Sequence, residues 1–305
     1  MTSKYNFEAV DRCLKDVMGA VDPVLKNVLF GGKVVVFGGD FRQILPVVVK
    51  GNRGDIVADC IQASYIWPAT QVLHLNENMR VQAAGQQSAI FAAKLLAIGN
   101  GEAPYDTQVP IDENWLLDSN DIKGVLNKVY PQLSCPEGPS CFDGRAILAT
   151  KNSDVDFINN QASLLFPGEA KIYESCDTVQ EDECPDSESN ASDYPVEFLN
   201  CVNPSGMPNH ILELKVGMPL TIIRNIDVCN GLCNGTKVYI TKLLNYSIIV
   251  RQYNNPSAHE CILPRITFVT DEDEYPFRLR RRQLPVRPAF AMTIHKAQGQ
   301  TLSHV

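Results

Sequence analysis

The chain has 305 residues, 45% of them apolar, with 27 Lys and Arg against 35 Asp and Glu for a formal net charge of −8. That length supports two hydrophobic cores and suggests two domains, which excludes the small scaffolds that depend on disulfide staples. No apolar run reaches the roughly 20 residues that span a bilayer, and the net negative charge excludes nucleic-acid binding by a uniformly basic surface.

Phe7, Val10, Leu14 and Met18 recur at helical spacing and predict a first helix that ends near Gly19 and Pro23. VVVFGGDFRQILPV at 34–47 then reads as a buried strand, centred on Val34 to Phe37 within 33–38. It runs into two glycines and presents Asp40, Arg42 and Gln43 at its carboxyl end, where open α/β sheets bind ligands. A helix near 55–64 and a strand at 70–75 follow. Gln87 to Ile98 is rich in Ala and Leu with a glycine just past its end, a helix with a stop. A strand from Ile147 to Thr150 and a helix from Asp154 to Leu165 repeat the alternation that argues for parallel sheets.

EDECPDSESNASD at 181–193 carries no basic residue and almost nothing apolar, so it reads as a loosely held acidic loop. From about residue 210 the pattern changes to short apolar strands between Gly, Asn and Pro: LTII, KVYI, SIIV, CIL and ITFVT, which suit a small β barrel. ITFVTDED at 266–273 ends in carboxylates as a Mg²⁺-binding strand would, but its meander setting reads as a solvated hairpin turn. RLRRRQLPVR at 278–287, with Arg280, Arg281 and Arg282, is a basic run that reads either as a solvated face or as a phosphate-neutralising surface. AFAMTIHKAQGQTL at 289–302 gives an apolar strand ending at Thr293, then a polar turn offering His295, Lys296 and Gln298 before Gly299.

The ten cysteines are scattered, and none forms the paired C-x-x-C spacing of a structural zinc site, so no metal is expected and reduced thiols are the reading. The sequons at Asn190, Asn234 and Asn245 carry no meaning in a protein that is not secreted.

GGDFRQILPV resembles motif III, and TIHKAQGQTL motif V, of the PIF1 (petite integration frequency) DNA helicases, the RecD-like branch of superfamily one. LHLNENMR at 73–80, AILATKNSDVDFINNQ at 146–161, YPVEFLN at 194–200 and LKVGMPLTIIRNIDVCNGLCNGT at 214–236 resemble the same family in one collinear order. The resemblance implies an α/β fold with two RecA-like P-loop NTPase lobes, the first incomplete, and a small β-barrel insert called domain 2B. It places residues 1–72 in the first lobe, 73–196 in the second, 197–285 in the insert, and 286–305 back in the second lobe.

It also implies roles. Gln43 resembles the sensor amide that donates to the γ-phosphate and accepts from the attacking water, and Arg80 in ENMR the arginine that reaches it from the second lobe. Asp40 organises the motif III loop, Arg42 joins Gln43 on the nucleotide side, and Gln298 and Gly299 link motif V to the nucleotide cleft. Thr293, His295 and Lys296 contact the backbone of a single strand, and relatives often carry Asn where His295 stands. The basic run leads directly into this segment, which favours a DNA role for Arg280, Arg281 and Arg282.

The chain has no G-x-x-x-x-G-K-[ST] loop, and FGGK at 30–33 lacks both the upstream glycine and the following hydroxyl. In relatives the opening MTSKYNFEAVDR follows a Walker B segment, and a Ser-Arg motif comes some tens of residues after the stretch at Val305. The expectation is therefore an ATP- and Mg²⁺-dependent, 5′ to 3′ DNA helicase present as a fragment that is inactive alone. Single-stranded and forked or duplex DNA are its partners. It acts as a monomer in the nucleus or mitochondrion, in repair, recombination and telomere maintenance. The rivals are a non-catalytic single-strand-binding remnant, a Helitron-type mobile-element piece, and a nucleotide hydrolase unrelated to DNA, which leaves TIHKAQGQTL without a role.

Overall fold

The computed structural model describes residues 2–43, 45–48, 50–79, 86–102, 108–109, 111–117, 121–180, 194–204, 206–253, 259–270 and 275–305. The chain divides into two compact units, Met1–Leu116 and Leu117–Val305. It is an α/β protein, and among the described residues no helix is long and apolar enough to cross a membrane.

In the first unit α1 (Lys4–Gly19) starts at Ser3, whose hydroxyl accepts from Tyr5 N–H and donates to Asp59 Oδ1 at 2.6 Å. The buried Asp11 carboxylate ties this helix to its surroundings: it accepts from Phe30 N–H (2.6 Å), Lys15 Nζ (2.7 Å) and Tyr65 OH (2.7 Å). Gly31 lies so close to α1 that a Cβ there would sit 2.6 Å from Leu14 O, at a φ of +60 that favours glycine. Further on, α2 (Arg53–Ala58) is closed by a capping box between Asn52 and Asp55, and α3 spans Gln86–Asn100.

The expected strands at 33–38 and 70–75 do not form, and the described residues of this unit contain no strand. Residues 33–40 do keep a two-residue alternation. Phe37 packs edge-on to Phe7 at 5.3 Å and against Phe30 at 5.8 Å, whereas Val34 and Val36 stand 94% and 88% exposed. Leu73 and Leu75 are similarly bare, at 81% and 103%. An apolar run becomes a buried strand only when neighbours satisfy its backbone and layers cover both faces, and here α1 covers one face alone. The helix expected near 55–64 is likewise short, ending at Ala58.

The second unit holds α4 (Ile122–Val129), α5 (Asn152–Leu165), α6 (Val196–Cys201) and α7 (Ile294–Ala297). Its strands are β1 (Ile147–Ala149), β2 (Lys171–Glu174), β3 (Cys176–Val179), β4 (Ile211–Leu214), β5 (Pro219–Ile222) and β6 (Lys237–Leu243). They continue with β7 (Ser247–Gln252), β8 (Cys261–Pro264), β9 (Ile266–Val269), β10 (Leu279–Gln283), β11 (Val286–Pro288) and β12 (Ala291–Thr293).

β1 and β12 pair in parallel; the other ladders are antiparallel: β2 with β4, the order β3-β10-β9, and the order β11-β5-β6-β7-β8. The short strands expected after residue 210 are thus present, but the five-stranded sheet is open. Among the described residues no pairing joins β8 to β11, so a closed barrel is not formed. The strand and helix expected from Ile147 and Asp154 appear as β1 and α5, and ITFVT becomes β9 of a hairpin with β10. The acidic stretches 181–193 and 271–274 lie outside the described residues.

The larger core of this unit joins Leu126, Tyr130, Phe142, Phe166 and Phe290 to the inward faces of β5 to β8. Tyr130 donates its hydroxyl to Phe290 O at 2.7 Å, and burial pushes that hydroxyl's pKa up. Lys215 is 8% exposed and donates to Ser163 O (2.8 Å) and Phe166 O (2.7 Å), closing the last turn of α5 with a cation. A smaller core gathers Leu199, Met207, Ile223, Phe268, Phe277 and Leu279. The nine described cysteines are free thiols.

Candidate nucleic-acid interface

The turn at motif V is built by the parallel pair. Ala149 is in register with Thr293, so β1 and β12 end together, and α5 and α7 both begin at that carboxyl end. Asn159 on α5 fixes the pair: its Oδ1 accepts from Phe290 N–H (3.1 Å) and Ala291 N–H (2.9 Å), and its Nδ2 donates to Ala291 O (3.3 Å). This amide is 4% exposed and satisfies three backbone groups that β1 leaves open on that side.

Beyond Thr293 the chain makes the single turn of α7, then Gln298 and Gly299, the latter at a φ of +80. Ser303 N–H and His304 N–H then donate to Gly144 O at 2.7 and 3.2 Å, and Ala146 N–H donates back to His304 O at 3.2 Å. The segment 294–302 is therefore pinned at both ends, by β12 on one side and residues 144–146 on the other. Thr293 is half-buried, and His295, Lys296, Gln298 and Gly299 are exposed along this short pinned segment. Hydroxyl, imidazole, ammonium and amide within six consecutive residues suit phosphodiester oxygens. Although Lys296 as a whole residue is exposed, partial desolvation of its ammonium and the positive charge of Arg287 lower its pKa, while the Asp156 carboxylate opposes the shift.

The three arginines of the basic run do not act together. β10 alternates faces, so Leu279, Arg281 and Gln283 are buried while Arg280 and Arg282 are exposed. Register sets Arg280 between Thr178 and Val269, and Arg282 between Cys176 and Thr267, so no acidic residue opposes either across the ladder. Arg281 is 0% exposed and grips the equally buried Asp177 carboxylate, with Nε at 3.0 Å and Nη2 at 2.7 Å. It also donates to Pro208 O, Leu199 O and Val202 O at 3.1, 3.2 and 3.0 Å. The expectation of a DNA contact at Arg281 is corrected accordingly: the period-2 pleat turns this guanidinium into the core, where it ties β3 and β10 to α6.

In the first unit Asp40, Arg42 and Gln43 share one turn. Asp40 Oδ1 accepts from Arg42 N–H at 3.1 Å and its carbonyl from Gln43 N–H at 3.2 Å, so Asp40 organises the loop. Arg42 Nε donates to Asn100 Oδ1 at 2.5 Å, which anchors the turn to the end of α3. Gln43 is exposed, and Arg80 lies outside the described residues. Among the described residues no three His, Cys, Asp or Glu side chains converge on a metal position. With no phosphate loop in the sequence either, the residues present do not by themselves fit a Mg²⁺–nucleotide cradle. Asn159, Asp177, Arg287 and Asp156 were missed in the sequence; the available signal was polar side chains on otherwise buried stripes, such as Asn159 and Ser163 beside Ile158 and Ala162.

Known proteins place this geometry. Residues 1–108 match the family model described as PIF1-like helicase, and residues 197–243 match the model of the 2B domain of DNA helicase Pif1. The ATP-dependent DNA helicase PIF1 of Danio rerio is 24% identical over 315 residues, covering 98% of this chain and 39% of its own length. The human PIF1 helicase is 26% identical over 310 residues, covering 97% and 40%. The chain thus spans about two fifths of the length of these relatives. Among solved structures, a Bacteroides Pif1 bound to ssDNA matches with a TM-score of 0.59 at 22% identity, covering 98% of this chain and 60% of that one. The Pif1 helicase of Candida albicans matches with a TM-score of 0.57 at 22% identity, covering 97% and 64%. These likenesses show a shared α/β fold. With two models that between them match just over half of its residues, the chain belongs to the PIF1-like helicase family.

Proposed function

We propose that this chain is a segment of an ATP-dependent DNA helicase that moves 5′ to 3′ along single strands. The observation that carries the reading is the turn from Thr293 to Gly299, pinned at the carboxyl end of β1 and β12. Residues 1–72 belong to the first RecA-like lobe, 73–196 and 286–305 to the second, and 197–285 to the 2B insert. Thr293, His295 and Lys296 hold the strand backbone, and Arg280 and Arg282 add a separate basic face. Such contacts fix position without reading sequence, so binding is sequence-tolerant and salt-sensitive. The Bacteroides relative bound to ssDNA and a Pif1 structure addressing unwinding at forked dsDNA support single strands and forks as partners.

A Bacteroides Pif1 complex with ADP-AlF3 and ssDNA supports nucleotide use by the family. In a protein that pairs this segment with a phosphate loop, Gln43 and Arg80 face the γ-phosphate of Mg²⁺-bound ATP, with Asp40 and Arg42 shaping the turn and Gln298 and Gly299 linking it to the strand. The protein acts as a monomer in genome maintenance, in the nucleus or mitochondrion. Residues 1–305 alone hydrolyse no ATP, because the groups that stabilise phosphoryl transfer are not among them. DNA-stimulated turnover by the 305-residue chain that Gln43→Ala abolishes would overturn this. The missing phosphate loop also favours a second reading, a non-catalytic single-strand-binding protein. Turnover stimulated by single strands in a protein that joins this segment to such a loop decides for the motor; its absence decides for the binder.

A further inference from the structure

We propose that Lys237 is the positioning residue that ties the five-stranded sheet to the strand-binding turn, acting through the single peptide plane between Arg145 and Ala146. The inference rests on the reading that the turn from Thr293 to Gly299 binds a phosphodiester, and it adds what sets the far end of that turn. Lys237 opens β6, in register with Thr221 of β5. Its ammonium donates to Arg145 O at 3.0 Å. On the other side of the same peptide, Ala146 N–H donates to His304 O at 3.2 Å. A peptide is planar, so its carbonyl and its amide move as one body, and a cation on the oxygen strengthens the donor on the nitrogen.

Arg145 O has one further neighbour, the Tyr130 hydroxyl at 3.2 Å. A phenol carries a single proton, and Phe290 O at 2.7 Å takes it, so Lys237 is the donor that holds the Arg145 carbonyl. Burial lowers the pKa of this ammonium, against the pull of the Asp143 carboxylate, and the carbonyl stands in for part of the water it has lost. The rest of the loop closes on the same two residues. Gly144 O accepts from Ser303 N–H (2.7 Å), Ser303 Oγ–H (3.0 Å) and His304 N–H (3.2 Å). Gly144 has a φ of +64, and a Cβ there would sit 2.8 Å from Ser303 Oγ. Arg145 Nη1–H donates to Val129 O at 2.8 Å, which fixes the loop to the end of α4. Among these anchors Lys237 is the one that comes from the five-stranded sheet, so a shift of β6 reaches the turn through it.

The test is hydrogen exchange of the Ala146 and His304 amides by NMR, beside thermal melting and the anisotropy of a labelled oligothymidylate at several salt concentrations, all on the 305-residue chain. Lys237→Met keeps the length of the side chain but cannot donate. It should speed Ala146 exchange roughly 10-fold. It should also weaken oligonucleotide binding roughly 3-fold with the slope of log affinity against log salt unchanged, since no phosphate contact is lost. Lys237→Arg, which restores a cationic donor, should recover part of both. Ile240→Val loosens the same strand from its buried face and should move neither readout. A salt slope that falls in Lys237→Met would make this lysine a direct phosphate contact and overturn the positioning role. Wild-type Ala146 exchange in Lys237→Met, or equal effects from Ile240→Val, would overturn it too. If the wild-type chain binds no oligonucleotide, the reading of the turn falls, while the exchange rates still decide whether Lys237 holds its far end. Should Lys237→Met fail to fold, Lys237→Gln, shorter and uncharged, stands in under the same criteria.

Discussion

Replacing Arg281 by Ala should strongly destabilise the second unit, whereas the same change at either neighbour should leave its stability nearly unchanged. Arg281 and Asp177 are both fully buried, and loss of the guanidinium leaves the carboxylate, among the described residues, with Ser175 Oγ–H at 2.6 Å and the His210 ring at 3.9 Å as its side-chain partners. It also removes the guanidinium donors that reach the carbonyls of Pro208, Leu199 and Val202, of which Leu199 O keeps the Val202 N–H at 3.2 Å. Breaking a buried ion pair from one side costs about 3–5 kcal/mol, a large share of the roughly 5–15 kcal/mol that holds a domain together. For a unit of this size that is a drop of roughly 6–20 °C in melting temperature. Arg280→Ala and Arg282→Ala, at exposed positions, should stay within about 0.5 kcal/mol of wild type. Urea denaturation followed by far-UV circular dichroism compares all three. A further variant, Arg281→Met with Asp177→Leu, removes the charge imbalance and should regain part of the stability. If Arg281→Ala denatures at the same urea concentration as Arg280→Ala, the pair carries no structural weight and the reasoning fails.

Three more expectations concern the rest of the molecule. Asn159→Leu removes the clamp on Phe290 and Ala291, so it should destabilise by about 2–4 kcal/mol and weaken strand binding, read by denaturation and anisotropy together. Burial alone would raise the Asp11 carboxyl, but hydrogen bonds from Lys15, Phe30 N–H and Tyr65 more than offset it and hold its pKa below the ordinary aspartate range. Stability from this group is therefore present above the unfolded pKa and lost as pH falls through the folded one; acid melts of the first unit should steepen below about pH 4, and Asp11→Asn should remove that component. In a protein that joins this segment to a phosphate loop, Arg80→Ala should cut kcat for ATP by orders of magnitude with little change in strand affinity, and Arg80→Lys should rescue little. Wild-type kcat in Arg80→Ala would remove that residue from catalysis.

The motif V turn was legible because its two signals are local: an apolar run stops at Thr293 and a polar turn with Gly299 follows. The short strands after residue 210 were legible for the same reason, since Gly, Asn and Pro punctuate each one. The strand at 33–38 was not, because burial of Val34 and Val36 depends on partners that a window of sequence does not contain. Arg281 was misjudged by reading charge density instead of period; the alternation of Leu279, Arg281 and Gln283 against Arg280 and Arg282 already separates the two faces once the segment is taken as a strand. Asn159 escaped because an amide inside a helix has no sequence mark of the long-range clamp it forms, 131 residues away at Phe290.

In the proposed function the residues Thr293, His295 and Lys296 hold a single strand by its backbone. The direct measurement is oligonucleotide affinity of the 305-residue chain as salt is raised, for wild type and for Thr293→Val with Lys296→Gln. Binding should be indifferent to base sequence, with log affinity falling linearly with log salt at a slope of about −0.7 per phosphate contacted and a shallower slope in the variant. Equal slopes and equal affinities for wild type and variant, with both folded, would contradict it.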